Sequence, residues 1–118
     1  LGKTGDHAPA YDCFLEAAER YRQVGAHESA TRMTISAAGM AINLGLLDAA
    51  WTEVHTVLPL VRRRSDRQAE ATCLFLLGEL QLRRGDPTSA LPYLEPALAL
   101  AVSEGLREQI EERLAHCR

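Results

Sequence analysis

Four histidines and three cysteines are the side chains of this sequence best suited to hold a metal ion or to form a covalent intermediate. His7, His27, His55 and His116 share no metal-ligand spacing with one another or with Cys13, Cys73 and Cys117, and none is paired with a recognisable nucleophile motif. They read as ordinary surface or core histidines. The cysteines are odd in number and far apart, neither a disulfide framework nor a zinc spacing, and they fall on apolar faces where a thiol behaves as a small hydrophobe. Gly2-Lys3-Thr4 is similar to the end of a phosphate-binding loop, but that loop needs a strand and a further glycine upstream. Gly5-Asp6 marks a turn instead, which makes Lys3 a residue near a helix end. Arg62, Arg63 and Arg64, with Arg67, suit either a nuclear-import or polyphosphate patch, or a helix end where cations complement the negative end of the dipole. The second reading is the expectation. Glu104, Glu108, Glu111 and Glu112, with Arg107 and Arg113 interspersed, have the pattern of a solvated helix face. No enzyme, metal or cofactor is therefore expected.

Composition narrows the partners. Apolar residues make up 47% and charged residues 25% of 118, the balance of one packed globular domain. Thirteen basic against sixteen acidic residues leave a net charge of −3, so affinity driven by phosphate neutralisation has little to work with and no direct nucleic-acid partner is expected. Apolar runs stay well short of the ~18 residues that cross a bilayer, so no membrane role is expected. The cysteine pattern fits a reducing compartment, the cytoplasm first and the nucleus as the alternative.

The elements show themselves through a repeat. Gly5, Gly45 and Gly85 stand 40 residues apart, and Gly25, Ser65 and Gly105 fall halfway between, with serine replacing glycine in the middle unit. Sliding the chain by 40 also aligns Ala10, Ala50 and Ala90; Phe14, Val54 and Leu94; Ala17, Val57 and Ala97; and Ala37, Leu77 and Cys117. Within each 20-residue piece apolar residues recur at steps of three and four, as in Tyr11, Phe14, Leu15, Ala18 and Tyr21, which is the spacing of an amphipathic helix. The glycines at 25, 45, 85 and 105 sit where left-handed backbone ends a helix, and Asp86-Pro87 suits a restart. Helices are predicted at about 8–24, 27–44, 48–64, 67–84, 87–104 and 106–118. Pro59, Pro92 and Pro96 fall inside them, so kinks or a late start are expected there.

Paired helices with small residues at their crossings and a Gly-Asp turn resemble the tetratricopeptide repeat. The clearest unit is Leu74, Leu77, Gly78, Gly85, Asp86, Ala90, Leu94 and Ala97; the unit from Ala37 to Val57 is similar but has Thr34 at a usually large position. The period of 40 exceeds the family's usual ~34, as in the longer repeats of scaffold subunits and of sensor arrays in signalling ATPases and transcription activators. HEAT-type repeats share the period, but the paired small residues favour the tetratricopeptide reading. The resemblance implies an all-α, right-handed superhelical solenoid of antiparallel helix pairs, about six helices in all. The repeat phase divides residues 1–118 into units of about 1–25 (partial), 26–65, 66–105 and 106–118 (partial), which suggests a fragment of a longer array.

By the same resemblance, the first helices of successive units line a groove that takes a partner segment. Carried onto this chain, its positions are Lys3; Arg32, Ile35, Gly39, Ile42 and Asn43; and Thr72, Phe75, Glu79, Leu82 and Arg83. With Ile35, Gly39, Phe75 and Glu79 where chaperone-binding members carry basic or amide groups, a two-carboxylate clamp is not expected. Phe75 is either a part-exposed anchor for such a segment or, the reading favoured, a side chain that packs against the neighbouring helix. The function implied is a non-catalytic protein-interaction or scaffold module, binding another protein or packing against the rest of its own longer chain. The alternative is a sensor array of a multidomain signalling ATPase or transcription regulator.

Overall fold

A computed structural model describes residues 8–118. The described residues form six α-helices and no strand: α1 (Pro9–Gln23), α2 (His27–Asn43), α3 (Leu47–Arg63), α4 (Arg67–Arg83), α5 (Pro87–Leu100) and α6 (Glu104–Cys117). The all-α reading and the helix number hold. Lys3 and the Gly5 turn lie outside the described residues.

The 20-residue punctuation is a recurring local geometry. After α1, α2, α3 and α4 the chain closes by the same bond, from the amide just past the turn to the carbonyl five residues back: Ala26 to Tyr21 (2.8 Å), Leu46 to Ala41 (2.8 Å), Asp66 to Val61 (3.1 Å) and Asp86 to Gln81 (2.9 Å). The residue before that amide is left-handed each time. Gly85 has φ +80°, and at the serine that breaks the glycine series φ is 55°. Left-handed backbone costs an L-residue roughly 1–2 kcal/mol, and glycine avoids this at an entropic cost of roughly 0.5–1. Ser65→Gly is therefore expected to stabilise the chain by about 0.5–1 kcal/mol. A urea midpoint that stays put or falls would show that the serine side chain is compensated.

Two boundaries differ from expectation. The fifth helix ends at Leu100 rather than 104, and the sixth begins at Glu104 rather than 106, so Gly105 lies inside the first turn of α6 and ends no helix. The cause comes from α4. Gln68 accepts the amides of Val102 (3.1 Å) and Ser103 (3.3 Å) on its Oε1, and Ser103 Oγ accepts Leu106 N–H at 3.2 Å to cap α6. The prolines start no helix late: Pro59, Pro92 and Pro96 sit at exposed positions within α3 and α5.

The chain divides into two compact units, residues 1–57 and 58–118, with the boundary inside α3. In the first, α1 packs on α2 across a three-residue connection, which makes them antiparallel neighbours, and Tyr11, Ala18, Ala30, Ala37, Ala38 and Val54 are buried. In the second, α4 is buried almost all round from Cys73 to Leu80 and packs on α5 and α6. The sequence places Ala50, Gly78, Ala90 and Ala97 at close crossings. All three alanines are fully buried, and a Cβ added to Gly78 would stand 2.5 Å from Leu94 Cδ2.

Candidate functional site

The second unit carries an open cleft of about 280 Å³ lined by Glu79, Leu82 and Arg83 of α4 and by Arg113 and His116 of α6. Their spacing follows from helix geometry, since 79, 82 and 83 share one side of α4 and 113 and 116 one side of α6. Glu79 organises the cleft. Its side chain is 11% exposed, and each oxygen holds one guanidinium: Arg113 Nε donates to Oε1 at 2.6 Å and Arg83 Nε donates to Oε2 at 3.2 Å. Arg113 also donates through Nη1 to Glu112 (3.1 Å), and its guanidinium lies 5.8 Å from the centre of the Phe75 ring. The Glu79 hydrogen bond, outweighing partial burial, holds the Arg113 pKa above its ordinary value, so the charge at the cleft floor is permanent. A carboxylate shared by two guanidiniums binds and orients.

Four of the expected groove positions come together here or directly beneath: Phe75, Glu79, Leu82 and Arg83. Of the two readings of Phe75, its burial fits packing rather than the part-exposed anchor: it is 9% exposed and Arg113 lies over its ring, so it is part of the floor. Thr72 is half-buried and spends its hydroxyl on the Gln68 carbonyl (3.0 Å). Arg32, Ile35, Gly39, Ile42 and Asn43 all lie on α2 in the first unit. There Arg32 is exposed and paired with Glu28 (3.3 Å), Ile35 and Gly39 are half-buried, Ile42 is buried and Asn43 is exposed. Arg113 and His116 were not among the sequence candidates. A signal existed: in the 40-residue alignment Arg113 falls opposite Met33 and Cys73, so a charge replaces apolar residues there.

The first unit holds a different polar contact. Tyr11, 3% exposed, donates its hydroxyl to Glu53 Oε2 at 2.6 Å, while Glu53 Oε1 is buried with no partner. Burial, more than the opposing Tyr11 hydrogen bond, raises the Glu53 pKa, and burial together with Glu53 pushes the Tyr11 phenol far upward.

The remaining chemical candidates stay apart. Burial raises the Cys73 thiol to about 12, and Cys13, Cys73 and Cys117 are free. His27, His55 and His116 are exposed, and His55 Nδ1 lies 3.0 Å from the Trp51 carbonyl. Among the described residues no group of histidine, cysteine and carboxylate side chains could hold a metal, and no helix is long and apolar enough to cross a membrane. His7 and the Gly2-Lys3-Thr4 segment lie outside the described residues. No protein-family model matches the chain, and neither the curated proteins nor the solved structures contain a match to it.

Proposed function

We propose that this chain is a protein-interaction module of tetratricopeptide-like helical repeats, working by binding and without catalysis, and that the α4–α6 cleft receives a segment of a partner protein. The observation that carries the reading is the cleft itself. It has an ion-paired charged lining of Glu79, Arg83 and Arg113 and an apolar wall at Leu82, the mixed lining with which a protein site orients and then desolvates a peptide. Support also comes from register: Glu79, Leu82 and Arg83 are positions that the family resemblance assigns to a ligand groove.

A random-peptide display library, panned against the chain, tests this. Selected peptides are expected to perturb the backbone amide resonances of 79–83 and 113–116 and to bind about tenfold more weakly to Leu82→Asp, the loss typical of an interface position worth ~1.4 kcal/mol. Leu82 is half-buried rather than core, and a circular dichroism spectrum like the wild type's confirms matched folding. Peptides that bind Leu82→Asp as tightly and shift resonances elsewhere would remove the cleft as the binding site.

A further inference from the structure

Eleven of the chain's twelve arginines divide into two populations. Seven lie within ion-pair distance of a carboxylate. Arg63, Arg64, Arg67 and Arg107 have no carboxylate partner among the described residues, although acidic side chains outnumber basic ones by sixteen to thirteen. All four belong to one end of the second unit. Arg63 and Arg64 flank the end of α3, and Arg67 opens α4 across the Ser65 turn. Arg67 Nη2 donates to the Ala99 carbonyl and Arg107 Nη1 to the Leu98 carbonyl, each at 3.3 Å, so two of the guanidiniums meet adjacent carbonyls at the end of α5. Gln68 ties the same end of α4 to the α5–α6 connection.

Nearby acidic groups do not neutralise this edge. Glu70 is committed to Arg62 (3.0 Å) and Asp66 Oδ1 caps α4 by accepting Ala69 N–H (3.1 Å). The first turns of α6 add Glu104 and Glu108, which narrows the positive surface to Arg63, Arg64 and Arg67, all three exposed. Attraction to the negative end of α3 accounts for placing cations there, at roughly 0.3–1 kcal/mol each. It gives no reason for leaving guanidinium forks without carboxylates in an acid-rich chain. An unpaired fork is the side chain that takes a carboxylate bidentately at low desolvation cost.

We propose that this arginine edge is a second docking surface, separate from the cleft, and that its occupant is an acidic segment of a partner protein. The edge is one turn of a helix hairpin wide, too narrow for a polymer that must be neutralised along its length. A short run of aspartate or glutamate has its charge concentrated to match. The surface lies ~18 Å along α4 from Glu79, from the rise of ~1.5 Å per residue, so its loss leaves the cleft intact.

Fluorescence anisotropy with a labelled oligo-glutamate peptide provides the test. At low ionic strength the wild-type chain is expected to bind it, and the Arg63→Glu/Arg64→Glu chain about tenfold or more weakly, with the Arg63→Gln/Arg64→Gln chain between them. Arg20→Glu/Arg22→Glu, at ion-paired surface arginines of the first unit, serves as control and is expected to bind like wild type. No binding to the wild type, or equal loss in the control, would overturn the proposal. So would competition showing that inorganic polyphosphate or duplex DNA occupies the edge more tightly than the peptide. If charge reversal disturbs folding, the glutamine pair alone is read, and unchanged binding there overturns it too.

Discussion

Leu94→Ala is expected to destabilise the chain by ~2–5 kcal/mol, the range for emptying a buried leucine site, and Gly78→Ala by ~1–3 kcal/mol through overpacking. The two effects have one origin. Leu94 is fully buried and its Cδ2 and Cγ stand 2.5 and 2.6 Å from where a Cβ on Gly78 would be, so the leucine occupies a notch that exists because position 78 has no side chain. The double variant Gly78→Ala/Leu94→Ala is accordingly expected to cost less than the sum of the singles, because the new methyl no longer collides and fills part of the void. Coupling of 0.5 kcal/mol or more is typical of residues in contact. Urea unfolding of the four chains measures it, and strict additivity would mean that α4 and α5 do not cross as described.

The second large effect belongs to Tyr11 and Glu53. Tyr11→Phe removes the donor to Glu53 Oε2 and leaves a second buried oxygen unsatisfied on a carboxylate that already has one. The expected loss is ~1–3 kcal/mol. Glu53→Gln acts in the opposite direction near neutral pH, since an amide oxygen still accepts from Tyr11 and no charge is buried. The pH dependence has a definite sign. The folded pKa of Glu53 is raised above the reference of 4.5, so between 4.5 and its folded value the folded chain holds more proton than the unfolded one. Stability from this group therefore falls as pH rises through that window and levels off above it. Asp86 has the opposite slope: its pKa is lowered by hydrogen bonds from Ser89, so its contribution is present above 3.8 and fades as pH falls through the lower folded value. The difference between wild type and Glu53→Gln, measured by urea unfolding from acid to neutral pH, isolates the carboxyl. Parallel curves for the two chains would show that Glu53 does not titrate as its burial requires.

What the sequence made legible is what bonds locally. The turns after α1 to α4 depend on six consecutive residues, so the glycine series located them, and even the odd serine at 65 adopts the expected backbone. The break between α5 and α6 was misplaced because Gln68, more than thirty residues earlier, supplies the hydrogen bonds that fix it. The cleft was half legible for the same reason. Glu79, Leu82 and Arg83 lie on the α4 side that the family resemblance assigned to a groove, whereas the depth of Phe75 is set by Arg113 on another helix. A side chain's register is a property of its own helix, but its exposure is decided by whatever packs over it.

The repeated turn closure bears on how such a chain changes length. Every bond that ends α1, α2, α3 or α4 starts and finishes within the same short stretch, so duplicating or excising a piece between two equivalent turns leaves no helix end unsatisfied. Direction adds a restriction. Within the first unit α1 and α2 run antiparallel, so excising one of the two helices there would turn the other's neighbour around, whereas removing both together would not.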